Sequence, residues 1–194
     1  MSVDGRPGLL VLVVGPSGVG KDTLIDGARA ALAHDPSIVF PRREITRPAD
    51  AGGEDHQPVT PVEFQARRSA DAYALAWEAH GLGYGVPAAI LADLDAGRTI
   101  VVNVSRGIID TARRLARVRV LSLTVPADIL RQRLAARGRE TVEDIEARVA
   151  RATAFAVSGP DVVTVVNDGS IETALARVLD AIRSEAPALG PSSN

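Results

Sequence analysis

The first strongly patterned segment of the chain is apolar. Six consecutive aliphatic residues run from Leu9 to Val14 without a polar interruption. A strand with one face in solvent would alternate apolar and polar side chains, so this run predicts a strand buried on both faces, as in a parallel sheet covered by helices. Apolar residues with helical spacing follow between 24 and 32 and predict the first helix.

The alternation of strand and helix returns in the second half of the chain. The predicted strands are 100–102, 118–125 and 162–166. The last of them is closed by an Asn167-Asp168-Gly169 turn, after which Ser170 is placed to cap the final helix. Strands that alternate with helices indicate an α/β fold, with a parallel β-sheet flanked by helices.

Two segments interrupt this alternation. The first, residues 38–98, holds five of the six aromatic residues, and we expect it to be an insertion over the carboxyl edge of the sheet, where open α/β folds bind ligands. The second, residues 131–156, is rich in arginine and contains a Thr141–Asp144 capping box that starts a helix. We therefore expect one domain over residues 1–185. Its core would comprise 8–37, 99–130 and 157–185, and 186–194 would form a flexible tail.

Composition and charge limit the classes of function. The 194 residues are 46% apolar and carry a formal net charge of −2, which excludes intrinsic disorder and gives no positive field to attract nucleic acid or an anionic membrane. The absence of cysteine excludes disulfides, thiolate metal sites and a cysteine nucleophile. The apolar runs are too short to span a bilayer and the N-terminus has no signal-peptide pattern, so we expect a cytoplasmic protein.

A glycine-rich loop joins the first predicted strand to the first predicted helix. It reads Gly15-Pro16-Ser17-Gly18-Val19-Gly20-Lys21-Asp22, which matches the G-x-x-x-x-G-K pattern of P-loop nucleotide-binding proteins. Its glycines allow tight turns that direct backbone N–H groups at phosphates, and the helix N-terminus adds partial positive charge. Lys21 is the only lysine beside 21 arginines, and a compact ammonium suits a narrow anion pocket. We predict that this loop and Thr23 bind ATP, with Lys21 catalytic; the alternative is a glycine-rich turn with a solvated lysine.

The residue after Lys21 departs from the usual pattern. P-loops have Ser or Thr at this position as a Mg²⁺ ligand, whereas this chain has Asp22. A carboxylate is also a hard oxygen ligand, and the strand that usually ends in a metal-directed acid offers Asn103 here. We predict that Asp22 binds Mg²⁺, the carboxylate having moved from strand to loop. The alternative is an ordinary acid of the first helical turn.

Four motifs together resemble the guanylate kinase family. They are the loop at 15–21, Thr46-Arg47-Pro48, Tyr84-Gly85 and the arginine-rich segment from Arg133 to Gly138. The resemblance implies a P-loop kinase with an acceptor-binding insertion and an arginine-rich lid. It also implies that Arg47 holds the acceptor's phosphate beside Tyr84. The lid arginines that would close on the nucleotide phosphates are Arg133, Arg137 and Arg148. For each of these, a solvated helix face is the alternative.

The acidic residues with which guanylate kinases read guanine are missing. The corresponding positions hold Leu75, Asn103 and Ser105, and a second phosphate-binding arginine is replaced by Asp50. A buried polar group of guanine left without its partner costs about 1–3 kcal/mol. We therefore expect an acceptor other than GMP.

A more specific resemblance is to the ribose 1,5-bisphosphate phosphokinase family. The matching segments are Ile45-Thr46-Arg47, Gly53-Glu54-Asp55-His56, Leu75 to Leu82, Tyr84-Gly85-Val86 and Asn167 to Ser170. This resemblance implies transfer of the γ-phosphoryl group of ATP, with Mg²⁺, to the 1-phosphate of ribose 1,5-bisphosphate, giving phosphoribosyl diphosphate in phosphonate breakdown. An acceptor with two phosphates and no base needs cations and hydroxyl-binding groups. The candidate acceptor ligands are Arg43, Arg47, Tyr84, Ser105 and Arg106.

Several alternatives stay open. Glu54, His56, Trp77 and His80 are candidates for shaping the sugar pocket, with a purely structural role as the alternative for each. A guanylate or other nucleoside monophosphate kinase is the second candidate function. A non-catalytic guanylate-kinase-like interaction module is the third, although such a module would not need the glycines and lysine of the loop. The sequence also leaves a homodimer open.

Overall fold

The computed structural model describes residues 7–48, 54–138, 140–154 and 156–184, so the predicted tail 186–194 lies outside the described residues. The strands are β1 (Leu9–Val14), β2 (Ile38–Val39), β3 (Glu44–Ile45), β4 (Gln57–Pro58), β5 (Tyr73–Ala79), β6 (Leu82–Pro87), β7 (Thr99–Asn103), β8 (Val118–Thr124) and β9 (Val162–Val166). The helices are α1 (Lys21–Ala31), α2 (Pro61–Ser69), α3 (Ile90–Asp95), α4 (Ile109–Leu115), α5 (Ala127–Arg137), α6 (Val142–Thr153) and α7 (Ile171–Arg183). A 3₁₀ turn, Arg106–Ile108, precedes α4.

Five parallel strands form the main sheet, in the order β2-β7-β1-β8-β9. Every residue of β1 is buried, because both faces of the sheet are covered. Leu9, Val11 and Val13 pack in the core on the side of α1 and α7. Alternate residues such as Leu10 and Leu12 pack on the side of α3 and α4. The predicted α/β fold with a doubly covered parallel strand is confirmed.

A smaller sheet is built from residues of the segment between β2 and α3. Its order is β4-β3-β6-β5, with β5 and β6 forming an antiparallel hairpin. The hairpin turns at His80 and Gly81, both of which have positive φ, as a two-residue turn with the twist of the strands requires. Leu75 and Val86 of this hairpin pack in the same core as Leu10. The small sheet therefore packs against the main one through a shared apolar core.

The arginine-rich segment forms a pair of helices, α5 and α6, with a small core of its own. Leu130 and Leu134 of α5 pack against Ile145 and Val149 of α6. The predicted capping box is confirmed, since Thr141 accepts a hydrogen bond from the backbone N–H three residues on. Across the described ranges, no helix combines the length and the apolar character needed to cross a membrane.

Candidate active site

The glycine-rich loop between β1 and α1 has the tight geometry that its sequence predicts. Gly18 and Gly20 have φ values of 91° and 94°, a left-handed conformation that glycine adopts without steric cost. A Cβ atom on Gly15 would lie 2.8 Å from the carbonyl oxygen of Leu123 in β8. Helix α5 packs close to the same loop, because a Cβ on Gly18 would lie 3.4 Å from Leu130. The glycines are thus needed by the backbone path and by close packing.

Lys21, the first residue of α1, folds its side chain back over the loop. Its ammonium Nζ donates hydrogen bonds to the carbonyl oxygens of Gly15, at 2.8 Å, and Pro16, at 3.0 Å. These bonds hold a single positive charge at the centre of the turn, beside the N-terminus of α1. A partly buried ammonium in this position is suited to bind a phosphate oxygen.

Charged groups from the loop and from the small sheet surround Lys21. Burial lowers the pKa of the ammonium, and the neighbouring Asp22 carboxylate opposes that shift. The guanidinium of Arg43 lowers the pKa of Lys21 further, whereas Glu54 raises it. Charges act on a pKa in this way when they lie near the titrating group. Arg43 and Glu54 therefore lie close enough to the loop for their charges to act on Lys21.

Asp22 is exposed in the first turn of α1, where its carboxylate adjoins Lys21. The described part of the chain contains no group of three or more acidic, histidine or cysteine side chains that could hold a metal ion. Asn103, beside Val13 at the end of β7, is neutral. The single exposed carboxylate beside the glycine-rich loop would suit a Mg²⁺ ion that is bound mainly by phosphate oxygens and water.

Arg43 is buried against two aromatic rings of the small sheet. Its Nη2 donates to Glu54 Oε1, and its Cζ lies 5.5 Å from the Trp77 ring centroid and 5.3 Å from that of Tyr84. The two rings face each other across the β5–β6 hairpin, with centroids 5.4 Å apart and planes 5° from parallel. The Nε–H of Arg43 is buried and has no acceptor among the described residues. Arg43 is thus fixed in place with one donor still unpaired.

Arg47 and the buried His56 lie at the two sides of the neighbouring loop. His56 Nε2 is 3.0 Å from the carbonyl oxygen of Arg47, and its Nδ1 is 3.0 Å from that of Glu54. These contacts match the structural alternative for His56. Arg47 borders an open cavity of about 350 Å³. Its Nε–H is also buried without an acceptor in the ranges described.

The other predicted acceptor residues have different surroundings. The Ser105 hydroxyl accepts a hydrogen bond from the Gly107 N–H at 3.4 Å and so caps the 3₁₀ turn. Arg106 is exposed at the start of that turn, after the carboxyl end of β7. His80 is exposed at the hairpin turn, where its backbone has positive φ. Leu75 is 1% exposed and faces the core, so this position presents no polar group to a ligand.

The three predicted lid arginines are not equivalent. Arg133 points toward the end of β9, where its Nη2 lies 3.5 Å from Asn167 Oδ1. Arg148 donates to Glu140 at 2.8 Å, within the helix pair. Arg137 ends α5, and its side chain lies outside the described part of the structure. The structure therefore brings Arg133 close to Asn167, which contacts the loop, and keeps Arg148 within the helix pair.

Asn167 is a contact of the loop that the sequence analysis missed. Its buried amide Nδ2 donates to the carbonyl oxygen of Val19 at 2.8 Å. The Asn-Asp-Gly pattern predicts a turn of the backbone, but it does not predict a contact made by the Asn167 side chain. The position of Asn167 in the sequence could have indicated this contact. Asn167 follows a parallel strand whose carboxyl end lies at the same sheet edge as the glycine-rich loop.

Comparisons with known proteins place this geometry in a family. No family model matches the chain. The chain is 58% identical over 149 residues to the ribose 1,5-bisphosphate phosphokinase PhnN of Acidiphilium cryptum, covering 77% of this chain and 80% of that protein. It is 40% identical over 183 residues to the PhnN of Agrobacterium fabrum, covering 94% of this chain and all of that protein.

Two further similarities extend this result. A bifunctional ribose 1,5-bisphosphokinase-thymidine phosphorylase of Cupriavidus pinatubonensis is 48% identical over 182 residues, which are 93% of this chain and 30% of that longer protein. The crystal structure of guanylate kinase from Anaplasma phagocytophilum superposes with a TM-score of 0.64 at 21% identity, covering 93% of this chain and 87% of that one. The fold is therefore guanylate-kinase-like.

Proposed function

Because the chain belongs to the ribose 1,5-bisphosphate phosphokinase family, we propose that it transfers the γ-phosphoryl group of ATP to the 1-phosphate of ribose 1,5-bisphosphate. The product is 5-phospho-α-D-ribose 1-diphosphate, and the co-product is ADP. One bond forms between an oxygen of the 1-phosphate and the γ-phosphorus, and the bond from that phosphorus to the β,γ-bridging oxygen breaks. The attacking oxygen is already anionic, so no side chain has to remove a proton.

The loop from Gly15 to Thr23 supports ATP as the donor. Its glycines with positive φ and the N-terminus of α1 favour binding of the ATP phosphates. The Lys21 ammonium can exchange its two carbonyl acceptors for phosphate oxygens. Asp22 would hold Mg²⁺, which when bound neutralises charge on the β- and γ-phosphates. Arg133, and the other lid arginines where they reach the site, would add positive charge on the transferred group.

Arginine side chains near the small sheet support a multiply charged acceptor without a base. Arg47 is half-buried and borders the open cavity, so its guanidinium can donate to the oxygens of a phosphate bound there. The Arg43 guanidinium adds a second positive charge close to the glycine-rich loop. Leu75 in the core offers nothing to a guanine edge, which favours a sugar phosphate over GMP.

A direct assay tests the proposal. The protein is incubated with ATP, Mg²⁺ and either ribose 1,5-bisphosphate or GMP, and products are followed by ³¹P NMR. We expect a new diphosphate coupled to the sugar C1, and no GDP. Formation of GDP with no sugar diphosphate would support a nucleoside monophosphate kinase instead, and no turnover with either acceptor would support a binding module.

Two variants connect the assay to the site. Lys21→Ala is expected to lower kcat at least about a hundredfold, because the charge on the transferred phosphoryl group loses its closest cation. Arg47→Ala is expected to raise the KM for the sugar bisphosphate about tenfold to a hundredfold, as loss of a charged hydrogen bond predicts. Arg68→Ala is the matched control, since Arg68 is half exposed and paired with Glu78, which does not line the cavity beside Arg47. The use of ATP also supports the expected cytoplasmic location.

A further inference from the structure

Asn167 makes three contacts, two through its side-chain amide and one through its backbone N–H. It is 3% exposed, and its Nδ2 donates to the Val19 carbonyl oxygen at 2.8 Å. Its own backbone N–H donates to the Thr124 carbonyl oxygen at 2.8 Å, which fixes the residue at the end of β8. Its Oδ1 lies 3.5 Å from Arg133 Nη2.

The orientation of the amide is determined by these partners. A carbonyl oxygen can only accept and a guanidinium can only donate, so the NH₂ group must face Val19 and the oxygen must face Arg133. The opposite assignment would place two acceptors together and two donors together. Asn167 is therefore held in one rotamer by the loop on one side and the lid on the other.

The contact with Val19 constrains a single peptide of the loop. The peptide between Val19 and Gly20 is planar and trans, so its N–H points away from its carbonyl. With the carbonyl directed at Asn167, the Gly20 N–H is directed to the opposite side. The flanking glycines, Gly18 and Gly20, both have positive φ, a region in which glycine has many accessible conformations. Without an external tether this peptide could rotate.

Close packing adds a second restraint. A Cβ atom on Gly20 would lie 2.9 Å from Asn167 Nδ2, so the side chain lies directly against the loop backbone. The contact spans 148 positions of sequence. It joins the turn after β9 to the loop after β1.

We propose that Asn167 is a positioning residue for the donor site. It holds the Val19–Gly20 peptide with its carbonyl directed at the Asn167 amide, so that the Gly20 N–H points at the phosphates of the bound nucleoside triphosphate. The inference rests on the proposed use of ATP. It goes beyond that proposal by assigning the orientation of the loop to a residue from the far end of the sheet.

ATP affinity without the acceptor tests this role. Titration calorimetry with ATP and Mg²⁺ compares the wild type with Asn167→Ala and Asn167→Leu, which remove the donor with and without loss of side-chain volume. Both are expected to weaken ATP binding about tenfold, since one buried hydrogen bond and one loop conformation are lost. Arg177→Ala is the control, because Arg177 donates to the Val166 carbonyl and to Asp168 in the same segment without facing the loop. It is expected to keep wild-type affinity.

A spectroscopic measurement separates positioning from general loosening. Val-Gly occurs twice in the chain, at Val14–Gly15 and Val19–Gly20. Labelling valine carbonyls with ¹³C and glycine nitrogens with ¹⁵N therefore gives two amide signals. In the Asn167 variants the Val19–Gly20 signal should move and the Val14–Gly15 signal should stay.

The outcomes are distinct. Unchanged ATP affinity in both Asn167 variants, or an unmoved Val19–Gly20 signal, overturns the inference. Equal weakening in Arg177→Ala overturns it as well, because the loss would then follow from loosening of the segment. ATP binding by the wild type is measured first. If the wild type does not bind ATP, the proposed function itself fails.

Discussion

Breaking the Arg43–Glu54 ion pair is expected to destabilise the protein far more than removing both partners together. The Arg43 side chain is 8% exposed and that of Glu54 is 20% exposed, so solvent screens the pair little. Arg43 also lies against the rings of Trp77 and Tyr84, which cover part of its guanidinium. A single substitution at Glu54 would leave the buried Arg43 guanidinium against the two aromatic rings without its carboxylate partner.

The size of the effect follows from burial. Removal of one member of a buried pair costs about 3–5 kcal/mol, because the remaining charge is uncompensated. Glu54 is partly exposed, so we expect Glu54→Met to lower the free energy of unfolding by about 3 kcal/mol, the lower end of that range. Replacement of a buried pair by apolar residues is often close to neutral, so Arg43→Met with Glu54→Met should lie within about 1 kcal/mol of the wild type.

Urea denaturation of the wild type, the two single variants and the double variant measures the coupling. We expect a coupling energy of about 2 kcal/mol or more. The matched control is the Arg68–Glu78 pair between α2 and β5, whose side chains are 50% and 58% exposed. Its coupling energy should stay below about 1 kcal/mol. A double variant no more stable than either single variant would refute the assignment of a buried, electrostatically coupled pair.

Three further predictions follow from the polar groups of the fold. Burial lowers the pKa of Lys21, so ATP affinity should fall as the pH rises through that lowered pKa and the ammonium loses its proton. Calorimetric titrations with ATP from neutral to alkaline pH measure this, and a constant affinity would contradict it. Tyr73→Phe removes a hydroxyl that donates to the buried Glu44 carboxylate at 2.5 Å and should lower the free energy of unfolding by about 1–3 kcal/mol in urea denaturation. Arg119→Met leaves two carbonyls at the end of α7 without their donor, and the same measurement should show a loss of about 3 kcal/mol; a neutral result would show that water replaces the guanidinium.

The local features of the fold could be predicted because their causes are local. The apolar run of β1, the Thr141 capping box and the glycines of the loop each depend on residues only a few positions apart. Ser170 caps α7 as its place before the apolar helix indicates. Hydrophobic periodicity and turn residues were therefore enough to predict the architecture of the main sheet.

The contacts that complete the site could not be predicted in the same way. The cation over Trp77 and Tyr84 depends on the register of β5 against β6, which pairs those two rings across the hairpin. The sequence made Arg43 a candidate acceptor ligand, but its ion pair with Glu54 is visible only in the folded protein. Arg119 interrupts an apolar strand, and its burial makes sense only because the end of α7 presents carbonyls to it.

Position 75 illustrates why substrate choice in this fold is a property of packing as well as of ligands. By sequence, Leu75 is one of three positions at which a guanine-reading acid is missing, with Asn103 and Ser105. In the folded protein Leu75 is 1% exposed and packs with Val86 and Leu10, in the core that joins the two sheets. An ionised carboxylate at that point would be buried among aliphatic side chains, which costs several kcal/mol unless the surroundings change with it. Loss of base recognition and the packing of the small sheet are therefore coupled, and the acceptor site is not one substitution away from reading guanine.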